Sequence, residues 1–356
     1  MYFIEDILKT SVEKGATDIF IIAGASVAAK VSGNIVAEFE ERLLPDSTEE
    51  LIRKIYDIAQ RPIDKLLNTG DDDFAFVMSG ISRFRICAYK QRGSMAAVIR
   101  VIPFGIPDPV KMGIPEKVIL SANRKAGLIL VTGPAGSGKS TTLSCMIDYI
   151  NDTRGGHIIT LEDPIEYLHR NKKCIVSQRE VALDTVSYVG ALRACLRQAP
   201  DVILVGEMRD FETIQTVMTA AETGHLVIST LHTIGAADTI DRIVDVFAPA
   251  QQGQIRVQLS MLLQSVISQQ LLVGLDGKLH AAFEIMHTNT AIRTMIRESK
   301  THQIDSAISA AAADGMITMD TSILSLVSDK VLSPDVAIHY AGNPEMMERR
   351  INALKM

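Results

Sequence analysis

The stretch LILVTGPAGSGKSTTL, residues 128–143, constrains this chain more than any other. Leu128–Thr132 is a short apolar run of strand type, and Gly133-x4-Gly138-Lys139-Ser140 fills the P-loop pattern. A helical sequence follows from Ser140 to about Ile150. Strand, glycine-rich turn and helix in that order wrap backbone N–H groups around a phosphate at a helix N-terminus, where the dipole favours anions. Gly133, Pro134, Ala135, Gly136, Ser137, Gly138, Lys139, Ser140 and Thr141 are the expected contacts to the nucleotide. Lys139 is expected to reach the β- and γ-phosphates, and the Ser140 hydroxyl to ligate Mg²⁺. A glycine-rich turn that binds nothing is the plain alternative, and the flanking strand and helix argue against it.

A phosphate cradle leaves the use of the nucleotide open, and composition narrows it. At 356 residues the chain holds two domains or one large one, and 47% hydrophobic with 22% charged residues is a globular balance. The net charge of −6, the absence of Trp and the 5% of aromatics argue against a dedicated nucleic-acid binder, which needs basic surface and stacking residues. No apolar run reaches the length of a transmembrane helix. Glu5 and Asp6 stand where a signal peptide carries basic residues, so a cytoplasmic protein is expected. Cys87, Cys145, Cys174 and Cys195 form no CxxC pair, which speaks against a zinc site or a disulfide framework.

The segment PFGIPDPVKMGIP, residues 103–115, contains four of the twelve prolines and reads as a linker between domains. Residues 1–102 before it form a mixed α/β unit. Helical periodicity runs over 2–14, strand-like runs over 18–22 and 28–36, and a helix over about 48–59. A hairpin-like pair at 73–78 and 81–89 and a strand near 95–102 complete it. In residues 116–356, strand candidates Gly127–Thr132, His157–Leu161, Val202–Val205 and Leu226–Thr230 alternate with helical stretches. Such alternation predicts a mostly parallel sheet flanked by helices. Beyond 235 the pattern turns helical. Ile255, Leu259, Leu262, Leu263 and Val266 fit one apolar helix face, and Met316, Met319, Ile323, Leu326 and Val327 fit another.

Hydrolysis requires a held Mg²⁺, an oriented water and positive charge for the transition state. DVILVGEMRD, residues 201–210, is an apolar strand ending in an acid, so Glu207 is expected to hold Mg²⁺ or its waters at the carboxyl end of a strand. ITLEDPIEY, residues 159–167, ends in Glu162, Asp163 and Glu166. Three carboxylates so close repel one another unless a cation, an arginine or protonation relieves them, which suits a metal and water site. His225 and His232 flank the strand LVIST and are candidates for sensing the γ-phosphate, against the plain reading of structural histidines. SRFRICAYKQRGSMAAVIR carries Arg83, Arg85, Arg92 and Arg100 on adjoining strands. Alternation puts Arg83 and Arg85 on one face, either simply solvated or reaching across an interface.

In order and spacing, GPAGSGKSTT, ITLEDPIEY, DVILVGEMRD and AAETGHLVISTLHT resemble the Walker A, Asp box, Walker B and His box of secretion ATPases. Together with TIDRIVDVF (239–247), QSVISQQLL (264–272) and AIRTMIRES (291–299), they resemble in particular the type IV pilus retraction ATPases of the PilT-like kind. The resemblance runs over nearly the whole chain and is strongest from 127 to 300. It implies an α/β fold with a PAS-like N-terminal domain and a RecA-like P-loop ATPase domain with a helical C-terminal region. It also implies a homohexameric ring with ATP at subunit interfaces. By motif position Glu166 corresponds to the family's water-polarising glutamate and Glu207 to its Walker B glutamate, with His225 and His232 as the His-box residues. Arg85 and Arg100 fall where the family contacts phosphate.

The implied cofactors are ATP and Mg²⁺. The implied partner is an inner-membrane pilus platform protein, reached at the cytoplasmic face without a membrane segment of the chain's own and without nucleic acid. Thr17-Asp18-Ile19-Phe20 and Ser26–Lys30 depart from the family's N-terminal pattern, as Thr294 and Met295 do from its retraction motif. The implied activity is ATP hydrolysis driving pilus retraction and twitching motility. The alternatives are an accessory, extension or secretion motor of the same superfamily, and a RecA-like nucleic-acid motor.

Overall fold

A computed structural model describes residues 3–31, 33–102 and 104–354; Met1, Tyr2, Ser32, Pro103, Lys355 and Met356 lie outside, and with them the ends of the expected first helix and linker. The described residues divide into two compact units, one running to Gly105 and one starting at Ile106.

In the first unit, short stretches of alternating burial build an antiparallel sheet. Its strands are β1 (Ala16–Ile21), β2 (Ser26–Val31), β3 (Asn34–Arg42), β4 (Asp71–Met78), β5 (Ser82–Gln91) and β6 (Ser94–Ile102), in the order β3-β2-β1-β6-β5-β4. The run expected over 28–36 is two strands, because Gly33 turns the chain with φ +85° and Val31 pairs with Asn34. The helices Ile4–Glu13 and Pro45–Ile58 bury Ile4, Ile7, Leu8, Ile52 and Ile55 with Ile19, Phe84, Ile86 and Ile99 of the sheet. Asp72 is buried at the edge of this core because Arg61, Lys65 and Tyr56 all donate to it, at 2.9, 3.1 and 3.0 Å.

The second unit is a sheet of seven strands: β7 (Gly127–Thr132), β8 (Gly156–Glu162), β9 (Cys174–Glu180), β10 (Val202–Val205), β11 (Leu226–Leu231), β12 (Leu263–Val273) and β13 (Leu279–His287). Their order is β13-β12-β7-β11-β10-β8-β9, parallel except for the antiparallel β12–β13 pair. The central strands β7, β10 and β11 are buried at every residue. Such strands read as continuous apolar runs, since both faces are covered. Along β7, Leu128 and Leu130 join one core while Ile129 and Val131 join the core on the opposite face. The helix Lys139–Thr153 covers the second face, and the helices Phe211–Glu222 and Ala236–Asp245 cover the first.

Two expectations beyond residue 235 are corrected. Ile255, Leu259 and Leu262 do share the helix Pro249–Leu262, but Leu263 and Val266 belong to β12. A helical spacing across a helix–strand junction is accidental. What decides is that β12 finds ladder partners on both sides, with Val266 opposite Leu130 of β7 and Met286 of β13. Met316 likewise precedes the helix Met319–Ser328 and packs in a different core from Met319 and Ile323. Within the helix Thr290–Arg297, Ile292 and Ile296 are buried, Met295 is half-buried, and Arg293 donates to the carbonyls of Ser260 and Met261 at the end of the preceding helix.

Candidate active site

At the carboxyl edge of the second sheet the ends of β7, β8, β10 and β11 surround a cleft of about 250 Å³. Ala135, Gly136, Lys139, Ser140, Glu166, Glu207 and His232 all line it. Four motifs far apart in sequence thus meet there.

The loop after β7 takes backbone conformations that favour glycine, with φ +139° at Gly133, +77° at Gly136 and +86° at Gly138. Lys139 opens the following helix, and its Nζ donates to the carbonyls of Gly133 and Pro134 at 2.8 and 2.9 Å. Burial pulls the Lys139 ammonium below its ordinary pKa, while the charges of Glu166 and Glu207 hold it up. The cation and both carboxylates therefore share one electrostatic environment. The loop has a neighbour that the motif does not announce. Gln269 of β12, 2% exposed, accepts a hydrogen bond from the Thr142 hydroxyl at 2.7 Å and donates to the Ser137 carbonyl.

At the end of β8 burial sets one of the crowded acids apart. Glu162 accepts from the Thr160 hydroxyl at 2.6 Å and from the Gln178 amide at 3.2 Å. Burial nonetheless pushes its carboxyl up to about 7, with the nearby Glu166 charge adding to the rise. Glu166 itself is exposed at the mouth of the cleft. Glu180 fixes this turn from below by accepting from the Ile165 N–H at 3.1 Å.

Glu207 follows β10, and its Oε2 lies 2.7 Å from Arg209 Nε and 3.7 Å from His232 Nε2. Thr230 of β11 donates to the Gly206 carbonyl at 2.6 Å, which ties the two strand ends together. Gly206 sits in a tight place: a Cβ there would meet the Tyr188 hydroxyl at 2.9 Å and the Leu161 carbonyl at 3.2 Å. Tyr188 and Tyr167 line the cleft as well, and Tyr167 shares a 2.9 Å hydrogen bond with Thr141. Tyr188, Tyr167 and Gln269 are not among the residues expected at the site, whereas Glu162 is one of its three crowded acids.

The structure separates the two expected histidines. His232 follows β11 at the cleft, whereas His225 precedes it at the opposite edge of the sheet, six residues of strand away. There its Nδ1 is 3.0 Å from the Ala220 carbonyl at the end of the helix Phe211–Glu222, and its own carbonyl accepts from Gly127. In the first unit, Arg85 and Arg100 stand directly opposite one another on β5 and β6. The row continues to Asp18 on β1, which pairs with Arg100 at 3.1 Å.

For Mg²⁺ the chain offers hard oxygen donors in the cleft, the Ser140 hydroxyl and the Glu207 carboxylate. Among the described residues no group of three or more His, Cys, Asp or Glu forms a cage for a metal ion. That donor set fits an ion held by one or two protein oxygens together with phosphate and waters, which is the way Mg²⁺ is bound beside nucleotides.

The family model described as "Type II/IV secretion system protein" matches residues 1–316. The chain is 44% identical over 346 residues to the type IV pilus retractation ATPase PilT of Pseudomonas aeruginosa, covering 96% of this chain and 99% of that one. It is 42% identical over 347 residues to a twitching motility protein of Neisseria gonorrhoeae, covering 97% of this chain and 92% of the relative. A crystal structure of the pilus retraction motor PilT with bound ADP superposes with a TM-score of 0.91 at 47% identity, covering 98% of this chain and 100% of that one.

Proposed function

Because the chain belongs to the type II/IV secretion system protein family, we propose that it is an ATP-hydrolysing motor that drives type IV pilus retraction. The observation that carries the reading is the convergence of Lys139, Ser140, Glu166, Glu207 and His232 on one cleft at the carboxyl edge of the sheet, where such folds place their ligands. The chain binds ATP and releases ADP there.

The assigned roles follow from where charge develops as the γ-phosphate leaves. The backbone N–H groups of residues 135–141 and the Lys139 ammonium hold the phosphates. Ser140 and Glu207 would hold Mg²⁺, Glu207 partly through water. The ion, when bound, would supply positive charge to offset the negative charge of the phosphates. Glu166, exposed at the cleft mouth, orients and polarises the attacking water. Glu162 is less exposed than Glu166, and burial raises its carboxyl to about 7. His232, beside Glu207, faces the γ-phosphate end of the site. His225, at the far edge of the sheet, acts by capping a helix rather than by touching nucleotide bound in its own chain.

Arg85 and Arg100 belong to the same proposal. Two guanidinium groups directly opposite on a sheet repel unless anions lie between or over them. Asp18 answers Arg100, and a phosphate brought by a neighbouring subunit would answer Arg85. A homohexameric ring supplies such a neighbour through a head-to-tail interface that closes on itself. In this account residues 1–102 and 116–356 are the two domains and 103–115 the linker. The ring works at the cytoplasmic face of the inner membrane against the pilus platform protein. No helix among the described residues is long and apolar enough to cross a membrane.

The test is phosphate release from ATP by the purified chain, alone and as Glu166→Gln. The expected result is turnover by the parent, with nucleotide binding retained and turnover lost in the variant. Normal turnover by Glu166→Gln would overturn the assignment of the water-polarising group.

A further inference from the structure

We infer that Gln269, on β12, is a positioning residue that presets the phosphate loop for anion binding, a role that rests on the nucleotide reading above. β12 runs parallel to β7 with Ser268 opposite Thr132, so Gln269 stands beside the point where the chain leaves β7 to form the loop. It backs the loop along its length. A Cβ on Gly133 would collide with the Gln269 carbonyl, and one on Gly138 would lie 3.0 Å from the Gln269 amide nitrogen. Between these points the side chain makes two hydrogen bonds of opposite sense, donating Nε2–H to the Ser137 carbonyl and accepting from the Thr142 hydroxyl at 2.7 Å. The Ser137 carbonyl can only accept, which fixes the amide end of the carboxamide toward it and leaves the oxygen end for the Thr142 hydroxyl.

The consequence lies in the Ser137–Gly138 peptide. In a planar trans peptide the carbonyl and the following N–H point in opposite directions. Gln269 is buried and does not line the cleft, so it holds the Ser137 carbonyl on the buried side of the loop. The Gly138 N–H is thereby turned toward the open side, where Ala135, Gly136, Lys139 and Ser140 face the cleft. Gly138 has φ +86° and no side chain, so little else opposes a flip of this peptide. A flipped peptide would present a carbonyl to the phosphate in place of a donor. Gln269 removes that state before the nucleotide arrives.

The experiment uses the full chain and titrates ADP, with Gln269→Met and Gln269→Glu beside the parent and thermal melting as the check of folding. Gln269→Met keeps the bulk and loses the donor, so ADP binding should weaken roughly tenfold or more. Gln269→Glu presents an acceptor to the Ser137 carbonyl when ionised and a donor when protonated. Relative to the parent, its ADP affinity should therefore recover as pH falls from about 8 to about 6, since burial raises a carboxyl's pKa. Gln269→Met should show no such recovery. A purely structural role would not produce a pH profile confined to the carboxyl variant. ADP affinity of Gln269→Met equal to the parent's, or a deficit in Gln269→Glu that ignores pH, would overturn the inference. Failure of the parent itself to bind ADP would overturn the nucleotide reading instead, and a normal parent with normal variants would leave that reading standing.

Discussion

Glu162→Gln should stabilise the protein, and only above the acid range. The carboxyl sits at the end of β8, where burial pushes it from its ordinary 4.5 up to about 7. Two of its hydrogen bonds, from Thr160 and Gln178, enter one oxygen and can be made to the carboxamide oxygen of glutamine, while a third comes from the Glu166 N–H. A carboxyl whose folded pKa is raised favours folding of the protonated form. Its stabilising contribution is complete below the unfolded pKa near 4.5 and is lost as pH rises through about 7. The span between those values corresponds to about 3 kcal/mol at 1.36 kcal/mol per pKa unit. Glutamine carries no charge at any pH and escapes that loss. In urea unfolding of the nucleotide-free, metal-free protein, Glu162→Gln and the parent should be close at about pH 4.5 and diverge to about 3 kcal/mol in favour of the variant above pH 7. A constant difference across this range, or a parent more stable than the variant at about pH 8, would refute the claim that Glu162 is buried against its charge.

Lys139→Ala should weaken ADP binding by one to two orders of magnitude, the range of a lost charge-assisted hydrogen bond to phosphate, read by titration with a fluorescent ADP analogue. Affinity within a factor of about two of the parent would remove Lys139 from the phosphate site. Arg85→Ala should lower turnover in phosphate-release assays at concentrations where the ring is assembled, while leaving nucleotide affinity of the isolated chain unchanged. Unaltered turnover would return Arg85 to a solvated sheet face beside Arg100.

The parts of the fold legible in the sequence are those whose signals are local. β7, β10 and β11 are buried on both faces and so appear as unbroken apolar runs. The loop before Lys139 is legible because its glycines answer a backbone demand that other residues meet poorly. β12 was hidden because Leu263 and Val266 happen to continue a helical spacing, and the partners that make it a strand, β7 and β13, are invisible to a pattern along the chain. The same limit hid Gln269, whose significance exists only through contact with Ser137 and Thr142 more than a hundred residues earlier. Glu162 was visible as one of three crowded acids, but which of them would be forced toward neutrality depended on burial that spacing does not report. His225 and His232 look equivalent in AAETGHLVISTLHT, yet a strand between them carries them to opposite edges of the sheet.

The central claim is that hydrolysis in this cleft drives pilus disassembly. It is tested most directly by counting surface pili by microscopy on cells lacking the protein and on cells in which it carries Glu166→Gln. The account predicts many pili that fail to retract in both strains. Bald cells would contradict it in favour of an extension motor, and unchanged piliation would contradict it in favour of an accessory ATPase or a system other than pili.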